Sequence, residues 1–315
     1  MFEILPGEMV GASENTLRLT HLIDTAAQGN EAVTLTGEAG TGKELAARLV
    51  HERSSRKKSP FLMIDCSLYY ERELKRELFG YVSSGANPKS RKGLFEFARQ
   101  GTCYLSRIEE LTPGIQVSLL EFLRSGKFPR LGDGKLISSA VRIVVSSDKN
   151  IEGFVEAGLF DAGLFSELSS LTAHIAPLRE RKEDISLIIE RITAAYSAER
   201  AGKPVAIFSP EALLALKAYA WPHNVDELQR EVSRQLESGQ EVIRPEHLAV
   251  EISSYWLGQR GDPEVRKVLD ELDGYMREFR ILSQIKGDLG DLLDVPFRSS
   301  DGNVLARERD LMGEL

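Results

Sequence analysis

Cysteine and tryptophan are scarce, two of each in 315 residues. Cys66 and Cys103 have no zinc-like spacing, and both are read as buried small hydrophobes in strand-like settings, which fits a reducing cytoplasm. Basic residues are not in excess: 40 Lys and Arg against 48 Asp and Glu leave a net charge of −8. That excludes nucleic-acid binding by a generally basic surface. The local clusters Arg53, Arg56, Lys57, Lys58 and Lys89, Arg91, Lys92 read as solvated loops. No apolar run approaches the roughly 18 residues of a membrane span. The opening MFEILPGEMVG lacks the basic-then-apolar order of a signal peptide. His21, His51, His174, His223 and His247 show no pairing at ligand spacing, so no metal site is expected. There is no internal repeat and no low-complexity tract.

What remains is an ordinary globular composition, 42% hydrophobic and 28% charged, with length enough for about two domains. EAVTLT at 31–36 is a β-rich run that ends at Gly37, and a helix over 44–52 follows with Leu45, Leu49 and Val50 on one side. Further strands are predicted over 60–66 (PFLMIDC), 102–105 (TCYL) and 140–147 (AVRIVVSS). They are separated by helical stretches such as RELKRELF and IQVSLLEFLRSG. Apolar strands alternating with helices predict an α/β fold, a doubly wound parallel sheet covered on both faces. After Pro177 only helices are read, one of them N-capped by Ser209 with Pro210 in its first turn. Val265, Val268, Leu272, Tyr275, Phe279 and Leu282 recur at helical spacing and predict an amphipathic helix over 262–285.

GEAGTGKE, residues 37–44, fits G-x-x-x-x-G-K between a strand and a helix. Gly37, Glu38, Ala39, Gly40, Thr41, Gly42, Lys43 and Glu44 are therefore the candidate nucleotide-binding residues. Glycines let backbone N–H groups close around phosphate oxygens, and Lys43 supplies a point charge for the β- and γ-phosphates. The usual Ser or Thr that touches magnesium is Glu44 here.

With loop, strands and helices in place, residues 9–250 resemble the AAA+ domain of bacterial enhancer-binding proteins, the ATPases that activate sigma-54 RNA polymerase. The matching stretches are MVGASENTLRL, GEAGTGKELAARLVH, PFLMIDCS, ELFGY, GLFEFARQGT, SLLEFLRSGKFPRLG, VRIVVSSD, PLRERKEDI and YAWPHNVDEL, in the family's order and spacing. The resemblance implies an AAA+ P-loop α/β domain over 1–177, a smaller all-helical lid over 178–250 and a helical C-terminal extension over 251–315. It implies ATP or ADP as ligand, and it makes Glu44 after the lysine normal.

The family's functional positions are then altered one after another. Its Asp-Glu after the third strand is Ser106-Arg107, the Asn of PFVAVNC is Asp65, and the sensor Asn of VRIIAATN is Asp148. The two arginines of FREDLYYRL are Asp161 and Glu167, and the sensor arginine of WPGNVREL is Asp226. The polymerase-gripping GAFTGA loop is YVSSGA, with Ser83 and Ser84 where Phe and Thr stand. One arginine finger is worth roughly 10³ to 10⁵ in rate, so turnover is not expected and no catalytic residue is assigned. Whether magnesium accompanies the nucleotide stays open.

The resulting expectation is a nucleotide-binding, hydrolysis-deficient regulator of transcription whose partner is a protein, either itself or another AAA+ regulator. Polymerase contact is not expected of the shortened loop. DNA contact is not signalled, because no helix-turn-helix is recognisable in 251–315. Asp161 or Glu167 is offered as the partner of a neighbouring subunit's Arg107 in an intersubunit ion pair. The chain begins close to the AAA+ boundary, so no sensory domain is expected before it. Two alternatives stand beside this reading: an ATP-hydrolysing activator that uses Glu109 or Glu110, and a DNA-binding repressor of the same family.

Overall fold

A computed structural model describes residues 8–83, 90–199 and 206–259. Ser84 of the shortened loop, Lys89 and the amphipathic helix over 262–285 lie outside the described residues. The chain divides into two compact units, Met1–Trp256 and Leu257–Leu315.

The first unit begins with α1 (Glu14–Gln28), β1 (Val33–Thr36), α2 (Lys43–Glu52), β2 (Phe61–Asp65) and α3 (Glu71–Phe79). A two-stranded ribbon, β3 (Tyr81–Val82) with β4 (Ser90–Arg91), precedes α4 (Leu94–Ala98), β5 (Thr102–Ser106) and α5 (Pro113–Ser125). A second ribbon, β6 (Lys127–Pro129) with β7 (Leu136–Ser138), leads to β8 (Arg142–Ser147), α6 (Ile151–Glu156), α7 (Ala162–Leu168) and β9 (Thr172–His174). There follow α8 (Asp184–Glu199), β10 (Ile207–Phe208), α9 (Pro210–Ala218), α10 (Asn224–Glu237), β11 (Val242–Ile243) and α11 (Val250–Gln259).

Five strands form one parallel sheet in the order β2-β5-β8-β1-β9. Central β8 is buried along its whole length. Ile143 and Val145 pack on one face with Leu78, Phe95 and Leu119, while Val144 packs on the other with Leu19, Ile23 and Leu49. Alternation with a period of two, under helices on both sides, is why such a strand reads as a continuous apolar run. Phe79, Phe95, Phe122 and Phe128 interlock in the first layer, with Phe95 and Phe122 stacked at 4.7 Å between centroids. Arg142 is the charged residue on β8. Its buried guanidinium donates to Ala26 O and Glu31 O, pinning the turn from α1 into β1, and burial lowers its pKa.

Several expectations need correction. The lid is not all-helical: β10 and β11 pair in parallel, Ile207 with Val242 and Phe208 with Ile243. Cys66 lies just past β2 in a 3-10 turn rather than in a strand, although both cysteines are buried and free. Burial raises both thiols, Cys103 to about 12. Arg56 is not merely solvated, because its Nη1 donates to Gln100 O, Gly101 O and Ala140 O and its Nε to Asn30. Ser209 caps α9 as expected, accepting from Ala212 N.

Candidate functional site

β1 ends at Thr36, and the glycine loop turns the chain into α2. Gly40 has φ +75°, and a Cβ there would stand 2.2 Å from His223 O. The loop thus touches the lid backbone at a point only glycine allows. Gly42 has φ +101° with nothing within 4 Å of an added Cβ, so glycine is required there by the backbone angle alone and the side towards ligand is open.

Lys43, whose side chain is 8% exposed, gives its ammonium to Gly37 O (2.8 Å), Glu38 O (2.7 Å) and Asp148 Oδ1 (2.7 Å). A lysine has three N–H donors, and all of them are taken within the chain. Asp148 follows β8 and is 27% exposed. Its N–H donates to Glu109 Oε1 at 3.1 Å, while Glu109 Oε2 is buried with no hydrogen-bond partner among the described residues.

The lid grips the loop from the other side. Asn224, at φ +52°, accepts from Leu178 N and donates to Ala39 O at 2.9 Å, and Val225 N donates to Gly40 O at 2.9 Å. Arg179 forks onto the Glu38 carboxylate at 2.6 and 2.8 Å, and this hydrogen bonding, with a further bond from Asn224, holds the Glu38 pKa at about 2 against the opposing effect of burial. Arg181, buried, donates to Thr41 O at 2.8 Å, and burial lowers its pKa. Asp184 at the start of α8 accepts from Ala12 N, Ser13 N, Ser13 Oγ and Thr16 Oγ1, tying the segment before α1 to the lid.

At the end of β5, Ser106 pairs in register with Asp65 of β2. Arg107 takes a left-handed backbone, φ +55°, and its guanidinium engages both Asp65 oxygens, with Nε to Oδ1 at 2.9 Å. That pairing raises the Arg107 pKa; burial pushes Asp65 up, but hydrogen bonds from Arg107 and Ser67 outweigh it and leave Asp65 lowered. The two changes, Asn to Asp and Glu to Arg, are therefore partners in one contact. Asp161 N-caps α7 by accepting from Leu164 N, and Glu167 accepts from Arg124 Nε at 2.9 Å. Arg107, Asp161 and Glu167 each have a role inside their own chain. Asp226 stands on α10 beside the loop, its Cβ 3.3 Å from a Cβ placed on Gly40.

In place of the usual pair of acids, the end of β5 presents a hydroxyl and a guanidinium, and the carboxylates beside it are engaged within the chain, Asp65 by Arg107 and Asp148 by Lys43. No group of three or more His, Cys, Asp or Glu side chains among the described residues is arranged to hold a metal ion.

The loop borders two cavities. A small one, about 40 Å³, is lined by Met9, Val10, Gly42, Leu45, Ile188 and Val225 among others. A larger one, about 670 Å³, is lined by Thr36, Gly37, Glu38, Asp148, Phe165 and His174 among others. Of the eight loop residues named from the sequence, the glycines, Glu38, Ala39, Thr41 and Lys43 meet at this junction, whereas Glu44 turns to Arg48 on the α2 surface. Asn224, Arg179, Arg181 and Asp184 were missed as site residues. The one signal was that PLRERKEDI matched the family without an assigned task, while in WPHNVDEL only Asp226 was given one.

Two family models match the chain: the sigma-54 interaction domain over residues 9–174 and the AAA+ ATPase lid domain over residues 179–258. The transcriptional regulatory protein XylR of Pseudomonas putida is 36% identical over 274 residues, covering 85% of this chain and 48% of that protein. The anaerobic nitric oxide reductase transcription regulator NorR of Citrobacter koseri is 35% identical over 257 residues, covering 78% and 50%. The crystal structure of NtrX from Brucella abortus in complex with ADP superposes with a TM-score of 0.72 at 30% identity, covering 78% of this chain and 56% of that one. The NtrX complex with ATP gives 0.71. The chain thus spans about half the length of the curated relatives it matches.

Proposed function

Since this chain belongs to the sigma-54 interaction domain family, we propose that it is an ATP- or ADP-binding, hydrolysis-deficient AAA+ regulator of transcription that acts by associating with protein. The observation that carries the reading is the contrast between an intact loop with Lys43 at its end and the Arg107–Asp65 pair at the place of the hydrolytic acids. The loop backbone and Lys43 would hold the phosphates. Hydrolysis needs a held metal, an oriented water and positive charge on the transition state. Ser106, Arg107, Asp161, Glu167 and Asp226 supply none of these in the usual places. The ADP and ATP complexes of NtrX support nucleotide binding by this chain. The partner would be a second copy or another AAA+ regulator. Among the described residues no helix is long and apolar enough to cross a membrane, in keeping with a cytoplasmic place of action.

A second reading has one observation in its favour. Glu109 reaches the Asp148 backbone from just beyond the strand end and keeps a buried carboxyl oxygen unpartnered, so it is the acid that an active, divergent enzyme would use. One experiment separates the two: calorimetry with ADP and ATP, a turnover assay and a solution mass on the same sample. Nucleotide binding with turnover no higher than that of Lys43→Ala, and self-association or capture of an AAA+ partner, supports the regulator. Turnover abolished by Lys43→Ala and by Glu109→Gln refutes it.

A further inference from the structure

We propose that the loop of residues 37–44 is a nucleoside diphosphate site in which Asp148 excludes the third phosphate. This rests on the nucleotide-binding reading above and narrows it to one ligand class. In a loop of this type the lysine serves the β- and γ-phosphates together. Here two of the Lys43 donors go to the loop's own carbonyls and the third goes to Asp148 Oδ1 at 2.7 Å. A carboxylate thus already holds the outer position on the ammonium, the one a terminal phosphate would compete for.

The surroundings give that competition to the carboxylate. The main chain that carries Asp148 is fixed, because its N–H is bound by Glu109 Oε1 and Ser147 Oγ accepts from the next backbone N–H, that of Lys149. Glu109 adds a second carboxyl group directly behind it. Two cations beside the loop are already matched, Arg179 by Glu38 and Arg107 by Asp65; a third, Arg181, sits on Thr41 O with its buried Nε unpartnered among the described residues, and lines the small cavity with Gly42 and Leu45. Asp226 adds another acid on the lid side of Gly40. A β-phosphate can be held by loop N–H groups without disturbing any of these pairs. A γ-phosphate brings one more negative charge to the end that Asp148 occupies, where Lys43, Arg179 and Arg107 each already hold a carboxylate. Like charges at contact distance in a half-buried site differ by enough to discriminate at least about tenfold.

The test is calorimetry of the full chain with ADP and with ATP, in EDTA so that the donor set alone is read, on wild type and on Asp148→Asn. Asparagine keeps an oxygen for Lys43 and removes the charge. ADP is expected to bind wild type at least about tenfold more tightly than ATP, and Asp148→Asn to bring the two within about threefold, mainly by tightening ATP. A wild-type preference below tenfold overturns the inference, as does a preference that Asp148→Asn leaves unchanged. Should the variant not fold, Asp148→Ser takes its place under the same criterion. If ADP and ATP bind wild type alike, only the diphosphate assignment falls. If neither binds wild type or variant, the nucleotide reading itself falls and takes this inference with it.

Discussion

Restoring the family's glutamate at position 107 should damage this protein rather than repair it. The Arg107 guanidinium engages both oxygens of Asp65 across neighbouring strands, with side-chain exposures of 41% and 22%. A fully exposed pair would contribute up to about 1 kcal/mol, and a buried one broken on one side costs about 3–5 kcal/mol. This half-buried pair lies between, so Asp65→Asn alone is expected to cost about 1–2 kcal/mol. Arg107→Glu removes the attraction and sets two carboxylates face to face. With about 4 kcal/mol as the ceiling for such a contact at an effective dielectric of 20, the single change should cost about 2–3 kcal/mol. For a domain of this size that lowers the melting temperature by about 5–10 °C. The double variant, Asp65→Asn with Arg107→Glu, rebuilds an uncharged-to-acid contact and should be more stable than Arg107→Glu alone. Urea unfolding of the four proteins gives the coupling directly, and it should exceed about 1 kcal/mol. Free energies that add within about 0.5 kcal/mol would refute the claim that the two substitutions form one contact.

The Glu38 carboxyl, held at about 2 by Arg179 against an ordinary 4.5, makes a contribution that is present above pH 4.5 and lost as pH falls towards 2. Arg179→Ala should return it towards the ordinary value, seen as a shifted carboxyl midpoint in an NMR titration, and an unmoved midpoint would show that Arg179 is not the cause. Asp184→Ala leaves Ala12 N, Ser13 N, Ser13 Oγ and Thr16 Oγ1 without their acceptor. The expected loss is about 3 kcal/mol or more, read as a lower melting temperature and faster proteolysis before α1, whereas an unchanged melting curve would contradict it.

How far the sequence carried can be judged element by element. The core strands were legible because β8 and β5 are buried on both faces along most of their length and carry unbroken apolar runs, Ile143 to Val145 and Cys103 to Leu105. The loop was legible because its glycines and lysine fall between strand and helix. Edge strand β9 and the pairs β3–β4, β6–β7 and β10–β11 were not, since two or three residues carry no periodicity to detect. The reversed charges were visible one at a time, but their pairing was hidden. Asp65 and Arg107 meet only through sheet register, and Lys43 and Asp148 only because β1 lies beside β8. Glu109, placed too late along the chain for a catalytic acid, is carried back to Asp148 by the turn that Arg107 makes in left-handed backbone.

Asn224 has a consequence for motion. One buried side chain, fixed within the lid by Leu178 N, holds Ala39 of the loop, so the helical region cannot drift away from the loop by small degrees. Opening requires that bond to break together with Val225 N to Gly40 O, Arg179 to Glu38 and Arg181 to Thr41 O. The transition is then a discrete, slow event with a barrier set by a few hydrogen bonds, and hydrogen exchange at Val225 would time it like a latch being lifted.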